Sequence, residues 1–311
     1  MRKGYSYYSA VLAICVLGIQ ACGSKSNPTT AIKGPASYSS GAITVVGSGI
    51  YQPYGITFDS FSGSGDLWFV ANSNPGTIYG YTSAGAAVTS SPYYAGTSTY
   101  DYPDQISTDP SGYLYVTDYS NNQVEVLTPT GASVGIAVSG LTHPTDAVVN
   151  AAGTTLYISE ETSPDVTFLT YTISGTSYPK TYNPVSNSFP TGGGAYDPNR
   201  NTALALDSNG NVYSTDFNGN EILKYSPTGA SPVTFIPASN WPWGIAFDTS
   251  GNLFVTEQTS PMFIQEYSST GSAGVSIGVP ANSNLTGLTV DGSGNLFVSD
   301  SYHGQILEFK K

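Results

Sequence analysis

Charge is scarce in this chain. Only 10% of its 311 residues are Asp, Glu, Lys or Arg, against about 25% in an ordinary soluble domain. That excludes a coiled coil and any long helix held by rows of side-chain ion pairs. Positive charge is scarcest, with nine Lys and Arg against 21 Asp and Glu and a formal net charge of −12. A surface this poor in cations repels phosphate backbones, which argues against nucleic acid as a partner. Only two His and two Cys are present, too few for a His-rich catalytic cluster or a disulfide framework. What is abundant is Gly (35) and Pro (20), together with 39% hydrophobic and 13% aromatic residues. Such a chain has the material for a core, which excludes highly charged disorder, and it favours short strands joined by turns.

The basic residues are also unevenly placed. Arg2, Lys3, Lys25 and Lys33 precede residue 42, leaving Lys180, Arg200, Lys224, Lys310 and Lys311 against all 21 acids, hence −16 for residues 42–311. Arg2 and Lys3 are followed by an apolar run over Ala10–Ile19, the pattern of an export signal, too short to span a membrane as a mature helix. It ends in Ile19-Gln20-Ala21-Cys22-Gly23, which resembles the lipobox of bacterial lipoproteins. The resemblance implies cleavage after residue 21 and acylation of Cys22, placing the protein in the cell envelope on a lipid anchor, periplasmic or at the surface. Cys15 leaves with residues 1–21, so the mature chain holds no internal disulfide. Residues 22–41, rich in Ser, Thr, Asn, Gly and Pro, read as a flexible linker to one domain over 42–311.

That domain is a repeat. Asp109-Pro-Ser-Gly-Tyr-Leu-Tyr-Val-Thr-Asp118 returns at Asp207–Asp216, Asp248–Glu257 and Asp291–Asp300, with looser copies at Asp59–Asn72 and Asn150–Glu160. The closing residues, Asn72, Asp118, Glu160, Asp216, Glu257 and Asp300, are spaced by 46, 42, 56, 41 and 43. Pro53, Pro103, Pro144 and Pro242 stand six places before an opening Asp or Asn, and Asn201 and Leu285 fill that slot in the other two copies. Four short strands with turn signals at this period describe a propeller blade. The pattern resembles the NHL repeat family, and the resemblance implies an all-β, six-bladed β-propeller of four-stranded blades. Ile43–Val46 is expected to complete the last blade, whose own sequence stops after three strands. The long third interval exceeds its neighbours by too little to hold a seventh blade.

Candidate chemistry lies on the face where the Pro slots and closing acids meet. The closing acids form either a carboxylate ring for a metal or cationic partner, or a set of local caps on their own loops. Departures from the repeat stand apart from both readings. Two places after the slot come Gly55, Gln105, Asp146, Ala203, Gly244 and Gly287, so Gln105 and Asp146 break a small-residue rule. With Asp104 and His143 they could hold a divalent cation such as calcium, or be solvated loop residues. Tyr51, Tyr54, Tyr102, Trp241 and Trp243 flank the slots on the same face, with Arg200 between them, suited to stacking on a sugar or a partner protein, or to packing between blades. The Arg that NHL repeats carry before the third strand is replaced here by Thr77, Gln123, Glu221 and Gln305 in the clearest copies. The first expectation is therefore an anchored, monomeric binding or scaffold module for a protein or glycan. The alternative is a metal-dependent enzyme of the gluconolactonase or streptogramin-lyase type, working at the channel mouth.

Overall fold

The computed structural model describes residue 38 and residues 42–46, 50–59, 65–71, 76–88, 102–162, 165–185, 189–190, 203–227, 232–237 and 239–311. The expected signal segment, Cys22, Asn72, Arg200 and Asn201 lie outside these. No helix occurs among the described residues.

The strands follow the repeat blade by blade. After β1 (Ile43–Val46), blade one holds β2 (Pro53–Asp59), β3 (Asp66–Ala71) and β4 (Thr77–Thr82). Blade two holds β5 (Pro103–Thr108), β6 (Leu114–Asp118), β7 (Gln123–Leu127) and β8 (Ser133–Ser139). Blade three holds β9 (Pro144–Val149), β10 (Thr155–Thr162), β11 (Asp165–Ser174) and β12 (Thr181–Pro184), with β13 (Phe189–Pro190) also paired to β11. Blade four is β14 (Leu204–Leu206), β15 (Val212–Asp216), β16 (Glu221–Tyr225) and β17 (Val233–Ile236). Blade five is β18 (Pro242–Phe247), β19 (Leu253–Glu257), β20 (Phe263–Tyr267) and β21 (Ala273–Gly278). Blade six is β22 (Leu285–Val290), β23 (Leu296–Asp300) and β24 (Gln305–Phe309), completed by β1.

The ring closes twice. β1 pairs antiparallel with β24, with Thr44 opposite Leu307, so the chain's two ends share one sheet and its open edge is covered. At the centre, the first strands touch in the order β2, β5, β9, β14, β18, β22 and back to β2. This is the expected six-bladed β-propeller. The core lies between neighbouring blades: Trp68 and Val70 of blade one pack with Ile106 and Leu114 of blade two, and Phe254 and Ile264 of blade five with Leu288 and Val298 of blade six. Tyr38, inside the expected linker, joins that last cluster, edge-on to Phe254 at 5.9 Å, so packing begins before residue 42.

The opening residues staple their turns. Asp207 Oδ1 accepts the N–H groups of Asn209 and Asn211, both at 2.9 Å. Asp248, Asp291 and Asn150 do the same in their own turns. In Asp207, Asp248 and Asp291 the second oxygen is held by an Asn amide, from Asn211, Asn252 and Asn295. Blade two has Tyr113 at that place. Its Asp109 Oδ2 instead accepts the Tyr178 hydroxyl and lies 3.3 Å from Lys180 Nζ, both from the turn after β11. Tyr113 stacks on Tyr178 at 3.6 Å, and Tyr115 bonds the hydroxyls of Tyr178 and Tyr182 at 2.8 and 3.0 Å. The extra residues of the longest repeat thus build a hairpin that clasps blade three onto blade two.

Because Asp109 is fully buried, removing one of its donors carries the cost of a thinly satisfied charge. Tyr178→Phe should lower stability by about 1–3 kcal/mol in urea unfolding. An unchanged midpoint would show that the hairpin does not clamp blade two.

Candidate functional site

The geometry of the mouth starts from a backbone irregularity. In blades one, two, five and six the first strand leaves its ladder for two residues after the slot, between Pro53 and Ile56, Pro103 and Ile106, Pro242 and Ile245, and Leu285 and Leu288. A bulge leaves an N–H without a ladder partner. The N–H groups of Gln105 and Gly244 donate instead to hydroxyls on the second strand, Thr117 at 2.9 Å and Thr256 at 2.8 Å. Asp146 and Ala203 do likewise with Ser159 and Thr215, at 3.0 and 2.9 Å. The hydroxyls of Thr117 and Thr256 also reach the next blade, donating to the carbonyls of Thr145 at 3.2 Å and Thr286 at 3.3 Å. Thr286 continues the chain from blade six to blade one, donating to Pro53 O at 3.1 Å.

At the bulge the first strands nearly touch. A Cβ on Gly244 would collide with Thr286 O, and one on Gly287 with Tyr54 O. Gly55 faces Gln105, whose side-chain amide occupies the space that a Cβ on Gly55 would need. The departures from the small-residue rule are therefore buried, with Asp104 and Gln105 at 6% exposure and Asp146 at 5%. They are not solvated loop residues.

Asp146 spans two blades. Its Oδ1 accepts Ala147 N–H and its Oδ2 accepts Leu204 N–H of blade four, both at 2.7 Å. Burial still pushes its carboxyl up, from an ordinary 3.8 to about 7, against the pull of those two donors. Asp104 is raised well above the usual carboxylate range, first by burial and then by the charges of Glu161 and Asp146. Glu161 accepts the Tyr119 hydroxyl at 2.6 Å, and Tyr119 stacks on His143 at 4.7 Å. The structure thus draws Asp104 and Asp146 together and adds Glu161, while His143 stays exposed at the rim on its tyrosine. Among the described residues no group of three or more His, Cys, Asp or Glu is placed to hold a metal ion. A calcium site presents open carboxylate oxygens to the ion, whereas both oxygens of Asp146 already accept backbone N–H groups. Of the four residues read as a cation site, Asp104, Gln105 and Asp146 are buried and His143 lies apart at the exposed rim.

The closing acids act as caps. Glu257 accepts Ser239 Oγ at 2.8 Å, the Asn240 N–H and Tyr267 OH at 3.1 Å. Asp300 accepts Ser283 Oγ at 2.9 Å, Asn284 N–H at 3.0 Å and the His303 ring at 2.7 Å. Burial pushes Asp300 up, yet these donors outweigh it and hold the carboxyl below its ordinary value. Glu160 accepts Thr142 N–H at 2.8 Å, and Asp216 accepts Gly219 N–H at 2.7 Å. Each of these acids ties down a loop on its own face of the ring, as the local-cap reading expects.

Aromatic side chains make up the rest of the mouth. Tyr54 of blade one meets Trp243 of blade five edge-to-face at 5.9 Å, and Phe217 of blade four lies against both Trp243 at 5.4 Å and Trp241 at 6.2 Å. Above them Tyr51, Tyr102, Trp241 and Tyr302 are 63%, 46%, 51% and 70% exposed. Gln52, Tyr102, His143 and Trp241, each just before its proline, have φ of 42°, 56°, 48° and 54°. This left-handed backbone is costly for residues other than Gly. Two of the four are clipped by the preceding blade: His143 N–H donates to Asn122 Oδ1 at 2.9 Å and Trp241 N–H to Asn220 Oδ1 at 3.0 Å. Sequence reasoning missed Tyr119, Glu161, Phe217 and Tyr302. Their signal was an aromatic or second acid within two places of a closing acid, where the other repeats are polar.

No protein-family model matches the chain, and no curated protein matches it. Solved structures do. A streptogramin B lyase shares 14% identity at a TM-score of 0.60, over 88% of this chain and 98% of that one. A gluconolactonase from Xanthomonas campestris shares 14% identity at 0.63, over 86% and 89%. A virginiamycin B lyase from Staphylococcus aureus shares 15% at 0.56, over 85% and 82%. At these identities the likeness establishes the fold and leaves function to the site.

The buried Asp146 makes stability depend on pH. Its folded-state pKa lies above its unfolded one, so its stabilising contribution is complete below about 3.8 and is lost as pH rises through about 7. Thermal melts from pH 4 to 8 should show a decline over that window which is smaller in Asp146→Asn. Parallel curves for the two proteins would refute the assignment.

Proposed function

We propose that the mature chain is a lipid-anchored envelope protein, a monomeric NHL-type propeller held through Cys22, whose rim recognises a glycan. One observation carries this reading: Tyr102, His143 and Trp241 occupy the same place in three blades, each exposed, each on a left-handed backbone. Fold maintenance does not ask for exposed aromatic rings on costly backbone, whereas planar rings on rigid supports suit stacking against sugar faces. The anchor would present the rim to polymers of the envelope.

A second reading is favoured by the raised carboxyls of Asp104 and Asp146 and by the lyase and lactonase neighbours. A carboxyl that keeps its proton near neutral pH can serve as a general acid. Turnover of a lactone by the mature protein, abolished in Asp104→Asn, would establish that reading.

Two measurements test the first. The mature protein should carry acyl mass on Cys22, and an intact unmodified chain would remove the anchor. A Tyr102→Ala, Trp241→Ala double variant should keep its melting temperature and lose at least about tenfold in affinity for oligosaccharides that quench the wild-type tryptophans. Capture of a protein by this rim, with no response to any oligosaccharide, would overturn the glycan assignment.

A further inference from the structure

Beneath the rim, three polar atoms on the first strands and their bulges are buried without a hydrogen-bond partner: Asp104 Oδ1, Gln105 Nε2 and Trp243 Nε1. Folded proteins leave few such groups, and each one calls for an explanation. Two of the three belong to residues at equivalent places of the repeat. Asp104 and Trp243 both directly follow the slot proline, and Gln105 comes one place later. Tyr54 holds the same place in blade one, in ring contact with Trp243 and on the strand next to that of Asp104. The equivalent positions in blades three and six are Thr145 and Thr286, whose hydroxyls are spent on Ser159 and on blade one.

We propose that the channel mouth is a pocket for a single neutral sugar ring, the terminal unit of the glycan in the reading above, on which this inference rests. Two of the unpartnered atoms are amide or indole N–H donors and require an acceptor. The third is a carboxyl oxygen and takes a hydroxyl. A sugar hydroxyl both accepts and donates, so adjacent hydroxyls on one ring answer all three. The faces of Tyr54 and Trp243 meet nearly at a right angle, 80° between their planes, and offer a corner for the ring's C–H surface. Asp146 and Glu161 beside Asp104 disfavour a carboxylate in the same place. The pocket therefore selects uncharged sugars over uronic acids.

The test uses the mature protein with glucose, galactose, N-acetylglucosamine, glucuronate and choline as probes, read by saturation-transfer NMR and calorimetry. At least one neutral sugar should bind, with glucuronate about tenfold weaker or undetectable. Gln105→Leu and Trp243→Phe keep much of the volume of the side chains they replace, and each should weaken that sugar by about tenfold while circular dichroism and melting stay those of a folded propeller. Binding of choline but of no neutral sugar would overturn the proposal. So would neutral-sugar affinity unchanged in both folded variants. The rim is scored separately: Tyr102→Ala, Trp241→Ala should weaken an oligosaccharide and leave the monosaccharide within about twofold. Loss of oligosaccharide binding in the rim variant with no effect of the mouth variants would reject the pocket and retain the glycan reading.

Discussion

The centre of this ring depends on one hydroxyl in each of blades two to five, from Thr117, Ser159, Thr215 and Thr256. Where the first strand bulges away from its own ladder, a Thr or Ser on the second strand takes the stranded N–H, and in blades two and five the same hydroxyl then donates to a carbonyl of the next blade. This arrangement joins blade to blade through the backbone and draws the first strands so close that Gly244 and Gly287 have no room for a side chain. A larger residue at that level must lie over a glycine of the neighbouring strand, as Gln105 does over Gly55, or hold that strand, as Asp146 does with Leu204. Buried polar groups at such a place cost stability unless something satisfies them. Asp146 is satisfied by the protein, whereas Asp104 Oδ1 and Gln105 Nε2 are not. The proposed pocket rests on that contrast.

The same distinction accounts for the acidity. Opening acids bind the N–H groups of their own turns, and closing acids bind the loop that leads into the first strand or the one that follows the second. Their partners are mostly neutral donors, which explains how a chain with so few Lys and Arg keeps its carboxylates satisfied. Some buried acids do meet a lysine: Asp248 lies 3.5 Å from Lys311 Nζ, and Asp109 lies 3.3 Å from Lys180 Nζ, which comes from the long insertion and supports a clasp between blades. The Asp109 pair stabilises chiefly because the Tyr178 phenol and the N–H groups of Ser111 and Tyr113 share the carboxylate.

Most of the fold was legible in the sequence because its signals repeat. Six openings with their slots determine the number of blades, and the missing fourth strand after Phe309 requires Ile43–Val46 to complete the ring. The mouth was legible in part. Gln105 and Asp146 stood out as departures from a small-residue position, yet a linear pattern does not reveal that Asp146 would use both oxygens on backbone N–H groups. Nor does it place Glu161, which lies beside Asp104 only because blades two and three are neighbours. The left-handed backbone at Tyr102, His143 and Trp241 was hidden for a different reason. A residue before proline is ordinarily extended, and at His143 and Trp241 a contact from the preceding blade, from Asn122 and Asn220, helps hold it otherwise.

The central claim is that Asp104 serves a ligand and the fold does not need it. Its equivalents in blades three and six are threonines, so Asp104→Thr restores the residue the repeat uses there. The melting temperature of this variant at pH 7, compared with the unsubstituted protein without ligand, tests the claim directly. It should be equal or higher, because a buried carboxyl with an unpartnered oxygen is replaced by a residue the ring already accommodates. A fall of the size expected for a truncated core side chain, about 2–5 kcal/mol, would show that Asp104 holds the propeller together and would contradict the account.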